Sequence, residues 1–147
     1  MNQASGHKAD LSSAEKLHTR LIDAIHGYDE AIEHAEADVK ADLVAMKRLH
    51  TSDEGALAAG IRAQHGEASK EGSWMSTVQE TVMNVRAWLT GIDDGVLPAV
   101  IRGERSLLDQ YDTAIGDTGM MVDLNAILRR QRAGLEAAVK SLESQVA

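Results

Sequence analysis

Apolar residues recur at three- and four-residue spacing in five stretches of the chain, and no stretch shows the two-residue alternation of a strand. In the first, Leu17, Leu21, Ile25, Tyr28 and Ile32 define one helix face; Ser12 with Glu15 reads as its capping box, and it runs to about residue 36. The second opens on Asp38 as N-cap and carries Val39, Leu43, Met46, Leu57 and Ile61 before fading at HGEASKEGS, residues 65–73. Ser73 caps the third, with Trp74, Val78, Val82, Val85 and Leu89 on one face. The break TGIDDG at 90–95 leads into the fourth, which starts near Asp94, accepts Pro98 in its first turn and carries Leu97, Val100, Leu107, Leu108, Tyr111 and Ile115. After GDTG at 116–119 the fifth carries Met121, Leu124, Leu128, Leu135, Val139, Leu142 and Val146. Short connections make sequential helices antiparallel. The pattern therefore predicts an all-α, up-and-down antiparallel bundle. Residues 12–147 form a single domain, residues 1–11 a disordered arm, and residues 119–147 an additional C-terminal helix.

Polar residues interrupt these stripes, and a turn of roughly 100° per residue places each of them. Glu104 falls at the centre of the fourth stripe, among Val100, Leu107, Leu108 and Tyr111. His50 falls between Met46 and Leu57. His18 and Asp29 fall within about 40° of the first stripe's centre. Gln131 and Arg132 interrupt the fifth stripe, and Thr81 is the main polar member of the third. With fold-backs at residues 37, 93 and 117, and 1.5 Å of rise per residue, the heights of Asp29, His50 and Glu104 agree within roughly 8 Å. These three are the candidate metal ligands, with Tyr111 covering the layer from one side. Glu30 and His34 in EAIEH also have ligand spacing, but they point away from the stripe and read as a solvated face.

A buried carboxylate needs a partner or a proton, because burying it bare costs several kcal/mol. The fold-back at residue 117 would bring Glu104 opposite Arg132. His50 is the other available partner for Glu104, and Asp29 a partner for His50. These pairings explain the polar residues as structure, without function.

Composition narrows the classes. The chain has 147 residues, which suffices for one core, and a net charge of −8. That charge argues against nucleic acid and against anionic lipid as partners. No cysteine is present, which removes disulfides, thiol chemistry and cysteine zinc sites. There is no apolar run of 18 residues and no secretory h-region, so the expected location is the cytoplasm. No nucleophile elbow or phosphate-binding glycine loop is present to suggest an enzyme. Trp74 and Trp88 read as packing residues.

Several local sequences resemble a bacterial family: Gly27-Tyr28, Gly72-Ser73-Trp74, Gly91 to Asp94, and Gly103-Glu104 followed by Tyr111. The family is domain-of-unknown-function family 2383, in the ferritin-like group of four-helix bundles. The resemblance covers about residues 17–116 and continues weakly beyond. It implies the fold but no activity. The wider group implies a di-iron or di-manganese centre built from one Glu on each of two helices and Glu-x-x-His on each of the other two. The chain departs from that set: position 107 is Leu, the second segment has only the reversed His50-x-x-Asp53, and Glu80 points outward. The expectation is a non-catalytic bundle that self-associates, forming a homo-oligomer, or binds a protein partner. The alternative is a protein handling iron or manganese through a reduced site of Asp29, His50 and Glu104.

Overall fold

A computed structural model describes residues 2–66 and 95–146, with side chains from residue 11 onward. Four helices make up nearly all of it: α1 (Asn2–His34), α2 (Ala37–Ala63), α3 (Val96–Asp117) and α4 (Val122–Val146). There is no strand among the described residues. The third expected segment, with Trp74, Thr81 and Trp88, lies outside them.

Helix α1 begins upstream of its expected start. Leu11 and Ala14 are buried and extend the apolar face beyond Leu17, so Ser12 and Glu15 lie inside the helix rather than at a cap. Ser12 is exposed, where a mid-helix serine competes least with the backbone. Helix α2 stops where His65 adopts φ 63° and the Gly66 N–H donates to the Ile61 carbonyl at 3.0 Å. A Cβ on Gly66 would come within 2.7 Å of Ile61 Cγ2, so the chain closes here on a residue without a side chain. Pro98 sits in the first turn of α3, where its missing N–H is harmless.

Each helix packs on two neighbours: α1 on α2 and α3, α4 on α2 and α3. The lateral contacts set the directions. Gln145 donates to Asp42, and Gly60 faces Leu124 and Ile127, so α2 and α4 are antiparallel. Arg105 pairs with Glu143 and Arg132 with Asp112, so α3 and α4 are antiparallel too. The result is an up-and-down bundle of the ferritin-like kind, whose fourth wall is the C-terminal helix. Leu17 and Leu21 of α1, Leu43, Leu57 and Ile61 of α2, Leu107 and Leu108 of α3, and Leu124, Leu128 and Leu135 of α4 fill its centre. Each such side chain contributes about 1.5–3 kcal/mol on burial.

The turn between α3 and α4 fixes their register. The Thr118 hydroxyl and N–H both donate to the Ala114 carbonyl, at 2.8 and 3.1 Å, and the Asn125 amide donates to the Ile115 carbonyl at 2.9 Å. Four residues, 118–121, thus separate the helices and move the fold-back past residue 117. Gln131 and Arg132 consequently meet Tyr111 and Asp112, two turns along α3 from Glu104. The expected Glu104–Arg132 pair does not form.

Candidate functional site

Glu104 is 3% exposed and His50 fully buried, and the two meet near the axis of the bundle. His50 Nε2 lies 2.8 and 3.0 Å from the two oxygens of Glu104. The ring hydrogen is assigned to Nε2, because an ionised carboxylate offers only acceptors. The third member is Tyr28 on α1, whose hydroxyl donates to Glu104 Oε2. Burial pushes that hydroxyl well above its ordinary range, and the charge of Glu104 and their hydrogen bond push it the same way, so it stays a donor. The Tyr28 and His50 rings also stack, with centroids 5.8 Å apart. One side chain from each of α1 and α2 thus closes on a single carboxylate of α3.

A second polar set lies about one turn along α2. Tyr111 donates to Gln131 Oε1 at 2.9 Å, and Gln131 donates to the Asp53 carbonyl at 2.9 Å. The Tyr111 hydroxyl is also held above its ordinary range, by burial first and then by the charges of Asp53 and Glu104. Burial raises the Asp53 carboxyl to about 6 against the opposing pull of His50. Asp53 Oδ2 and His50 Nδ1 have no hydrogen-bond partner among the described residues. Further along, buried His18 meets Glu54 at 3.2 Å.

Of the expected ligands, His50 and Glu104 come together; Tyr111, two turns along α3 from Glu104, bonds to Gln131 instead. Asp29 does not. It is exposed, pairs with Lys47 at 2.5 Å, and lines an open groove on the outer side of α1 and α2 with Ile32, Val44 and Arg48. The displacement has a geometric cause. Ala14, Leu21 and Tyr28 recur every seven residues on the buried face, as do Leu17, Ala24 and Ala31. A seven-residue repeat drifts about 20° per heptad against a straight 100° wheel. By residue 28 the inward face has rotated onto Tyr28 and Ala31, leaving Asp29 outside. Arg132 likewise sits at the flank, held by Asp112 and Glu136.

Tyr28 is the residue that sequence reasoning missed as a polar partner. One signal was available: the chain has no Phe and only two Tyr, both at stripe positions. A core needing aromatic bulk alone is served by Phe, whereas Tyr brings a hydroxyl that must be satisfied.

The described residues do not by themselves supply a dinuclear metal centre. Among them the layer of His50 holds one carboxylate, Glu104, with both oxygens within hydrogen-bonding distance of a partner. At that height Arg105 of α3 pairs with Glu143 of α4, and the inward residues of α4 there are Val139 and Leu142. A different cluster, Glu30, Glu33 and His34 at the end of α1, brings ligand atoms within 4.8 Å of one another and could hold an ion at the surface.

No curated protein and no solved structure matches the chain. The sequence does match DUF2383, a domain of unknown function, over residues 11–117, a span holding most of α1, all of α2 and all of α3. With that match covering most of its length, and with the bundle it forms, the chain belongs to the DUF2383 family.

Proposed function

We propose that this protein is a non-catalytic helical-bundle module that works by self-association or by binding a protein partner. The observation that carries the reading is the use of the interior. The apolar faces of four helices close on one another, and Glu104, the most deeply placed acid, is consumed by hydrogen bonds from Tyr28 and His50. On this reading the surface is the part of the molecule that acts. Two large apolar side chains stand out there, Met120 and Val122, 89% and 74% exposed on either side of buried Met121. Among the described residues no helix is long and apolar enough to cross a membrane.

Sedimentation or scattering over a concentration series tests this. A concentration-dependent dimer that Met120→Ser with Val122→Ser weakens supports it. A monomer at every concentration, with no partner recovered by cross-linking, removes it.

A second reading, iron or manganese handling, is favoured by the juxtaposed Glu30, Glu33 and His34. A route through Asp29, His50 and Glu104 would require both interior residues to exchange their present partners and Asp29 to leave Lys47. Retention of metal that His34→Gln abolishes would favour the surface cluster.

A further inference from the structure

We infer that His50 and Asp53 of α2 form a binding site for a single first-row divalent metal ion, held by His50 Nδ1 and Asp53 Oδ2. The site is separate from the surface cluster at the end of α1 and does not use Asp29. It also differs from a ferritin-like centre, where interior glutamates and Glu-x-x-His runs bind the ions directly. Here the run is His50-x-x-Asp53, and the interior glutamate engages the other side of the histidine ring.

The starting observation is a pair of buried atoms with nothing to bond. His50 is fully buried, and its Nδ1 meets no partner among the described residues. Asp53 Oδ2 is buried and unpartnered in the same way. With the ring hydrogen on Nε2, Nδ1 keeps a bare lone pair, and an ionised carboxylate likewise offers only lone pairs. Two acceptors cannot satisfy each other. What joins them is a cation, or a water molecule that donates to both.

Three features favour the cation. First, a histidine that binds a metal donates its other ring N–H to an acceptor, often a carboxylate, which fixes the ring and strengthens the free nitrogen as a ligand. His50 has that arrangement: Nε2 lies 2.8 Å from Glu104 Oε2, and Tyr28 donates to the same oxygen and holds the carboxylate in turn. Second, the spacing suits one ion. Residues three apart on a helix share a face, with Cβ atoms roughly 5–6 Å apart, and metal–ligand bonds of about 2 Å reach between them. The His50 ring is close enough to influence the Asp53 carboxyl, and Gln131 fixes the backbone there by donating to the Asp53 carbonyl at 2.9 Å. Third, the charges close. Glu104 and ionised Asp53 bring two negative charges beside a neutral phenol and a neutral imidazole, and one divalent ion cancels both. A water molecule cancels neither.

An imidazole nitrogen with a carboxylate oxygen suits Zn(II) or Fe(II). Asp53 is only half-buried, so the site lies at the edge of the interior, where an ion has a path from solvent.

The test uses the untagged full chain carrying His34→Gln, which silences the surface cluster, with Zn(II) as the probe. Calorimetric titration showing about one zinc per chain, with affinity falling at least about tenfold in Asp53→Asn, supports the inference. So does a ¹⁵N signal of His50 Nδ1 that moves on zinc addition while Nε2 stays protonated. Melting at pH 7.5 adds a change of sign. In EDTA, Asp53→Asn melts at or above its parent, because it removes an unpartnered buried carboxylate oxygen; with zinc the parent rises by several degrees and the variant does not. Absence of zinc binding by the parent overturns the inference and leaves a bridging water as the occupant. Equal zinc affinity in parent and Asp53→Asn overturns it as well, as does a His50 Nδ1 signal that zinc leaves unmoved, a reading that requires no interior variant to fold. Finding only monomer would defeat the association reading and leave this site standing.

Discussion

Two histidine–carboxylate pairings in this molecule share their chemistry and differ in their surroundings. His50 and Glu104 meet at 2.8 Å with side chains 1% and 4% exposed. His34 and Glu30 lie 3.7 Å apart with side chains 65% and 38% exposed. Along the chain the surface pair is the more conspicuous, since four-residue spacing on one helix makes it visible, whereas 54 residues separate His50 from Glu104. In the fold their importance reverses. Water solvates both members of the surface pair and screens their attraction. Inside the bundle each group has given up water for the other, so losing either leaves its partner stranded. What sets the weight of a polar pair is the cost of leaving it unmade.

The largest expected effect is therefore at Glu104. Replacing it with Leu strands the Tyr28 hydroxyl and the His50 Nε2–H, and should lower unfolding free energy by about 3–5 kcal/mol. The triple variant Tyr28→Phe, His50→Leu, Glu104→Leu removes all three polar groups together. It should recover most of that loss, because buried polar clusters are often replaceable as a unit. Urea unfolding of both proteins checks the pair. If the triple variant is at least as unstable as Glu104→Leu, shape rather than hydrogen bonding dominates, and the contrast between interior and surface is misdrawn.

Asp53 comes next and gives the comparison a pH axis. Its folded-state value of about 6 lies above the ordinary 3.8, with burial the main cause. An acid raised by folding binds its proton more tightly in the native state, so its contribution is fully present below the unfolded value and is lost as pH climbs through about 6. The full shift would amount to about 3 kcal/mol, but solvent screening of this half-exposed group reduces it to about 1 kcal/mol. Asp53→Asn should accordingly stabilise by about 1 kcal/mol at pH 7.5 and by almost nothing at pH 4. Denaturant midpoints at the two pH values read the difference directly. A constant offset would mean that the carboxyl is not desolvated.

How far these features are legible in the sequence depends on the range of the contact. Helical class and antiparallel order follow from local spacing, and the inward placement of His50 and Glu104 follows from the same wheel. The failures come where small errors accumulate. A straight wheel misplaces Asp29 because it ignores heptad drift over four turns. The expected Glu104–Arg132 pair fails because residues 118–121 shift the register of α4 by more than a turn. Tyr28 passes for an apolar residue because nothing local reveals that its hydroxyl meets a glutamate 76 positions away. The capping pattern at Ser12 outweighs Leu11 as a mark of where α1 begins, because the burial of Leu11 depends on the turn at Gly66.

The smallest expected effect belongs to the surface pair. Glu30→Gln and His34→Gln should each change stability by no more than about 0.5 kcal/mol near pH 7, the range for exposed i,i+4 pairs. Any effect should fade as salt rises from about 0.01 to 1 M, because the screening length then falls from about 30 to 3 Å. The same salt series should leave the loss in Glu104→Leu nearly unchanged, since mobile ions do not reach the bundle axis. Thermal melts of the wild type and the three variants across that series draw the line between the two pairings. A salt-sensitive Glu104 effect would place that carboxylate in contact with solvent. A salt-resistant effect of about 1 kcal/mol or more at Glu30, beyond the range of an exposed pair, would show that the end of α1 is covered in solution, by another copy or by a partner.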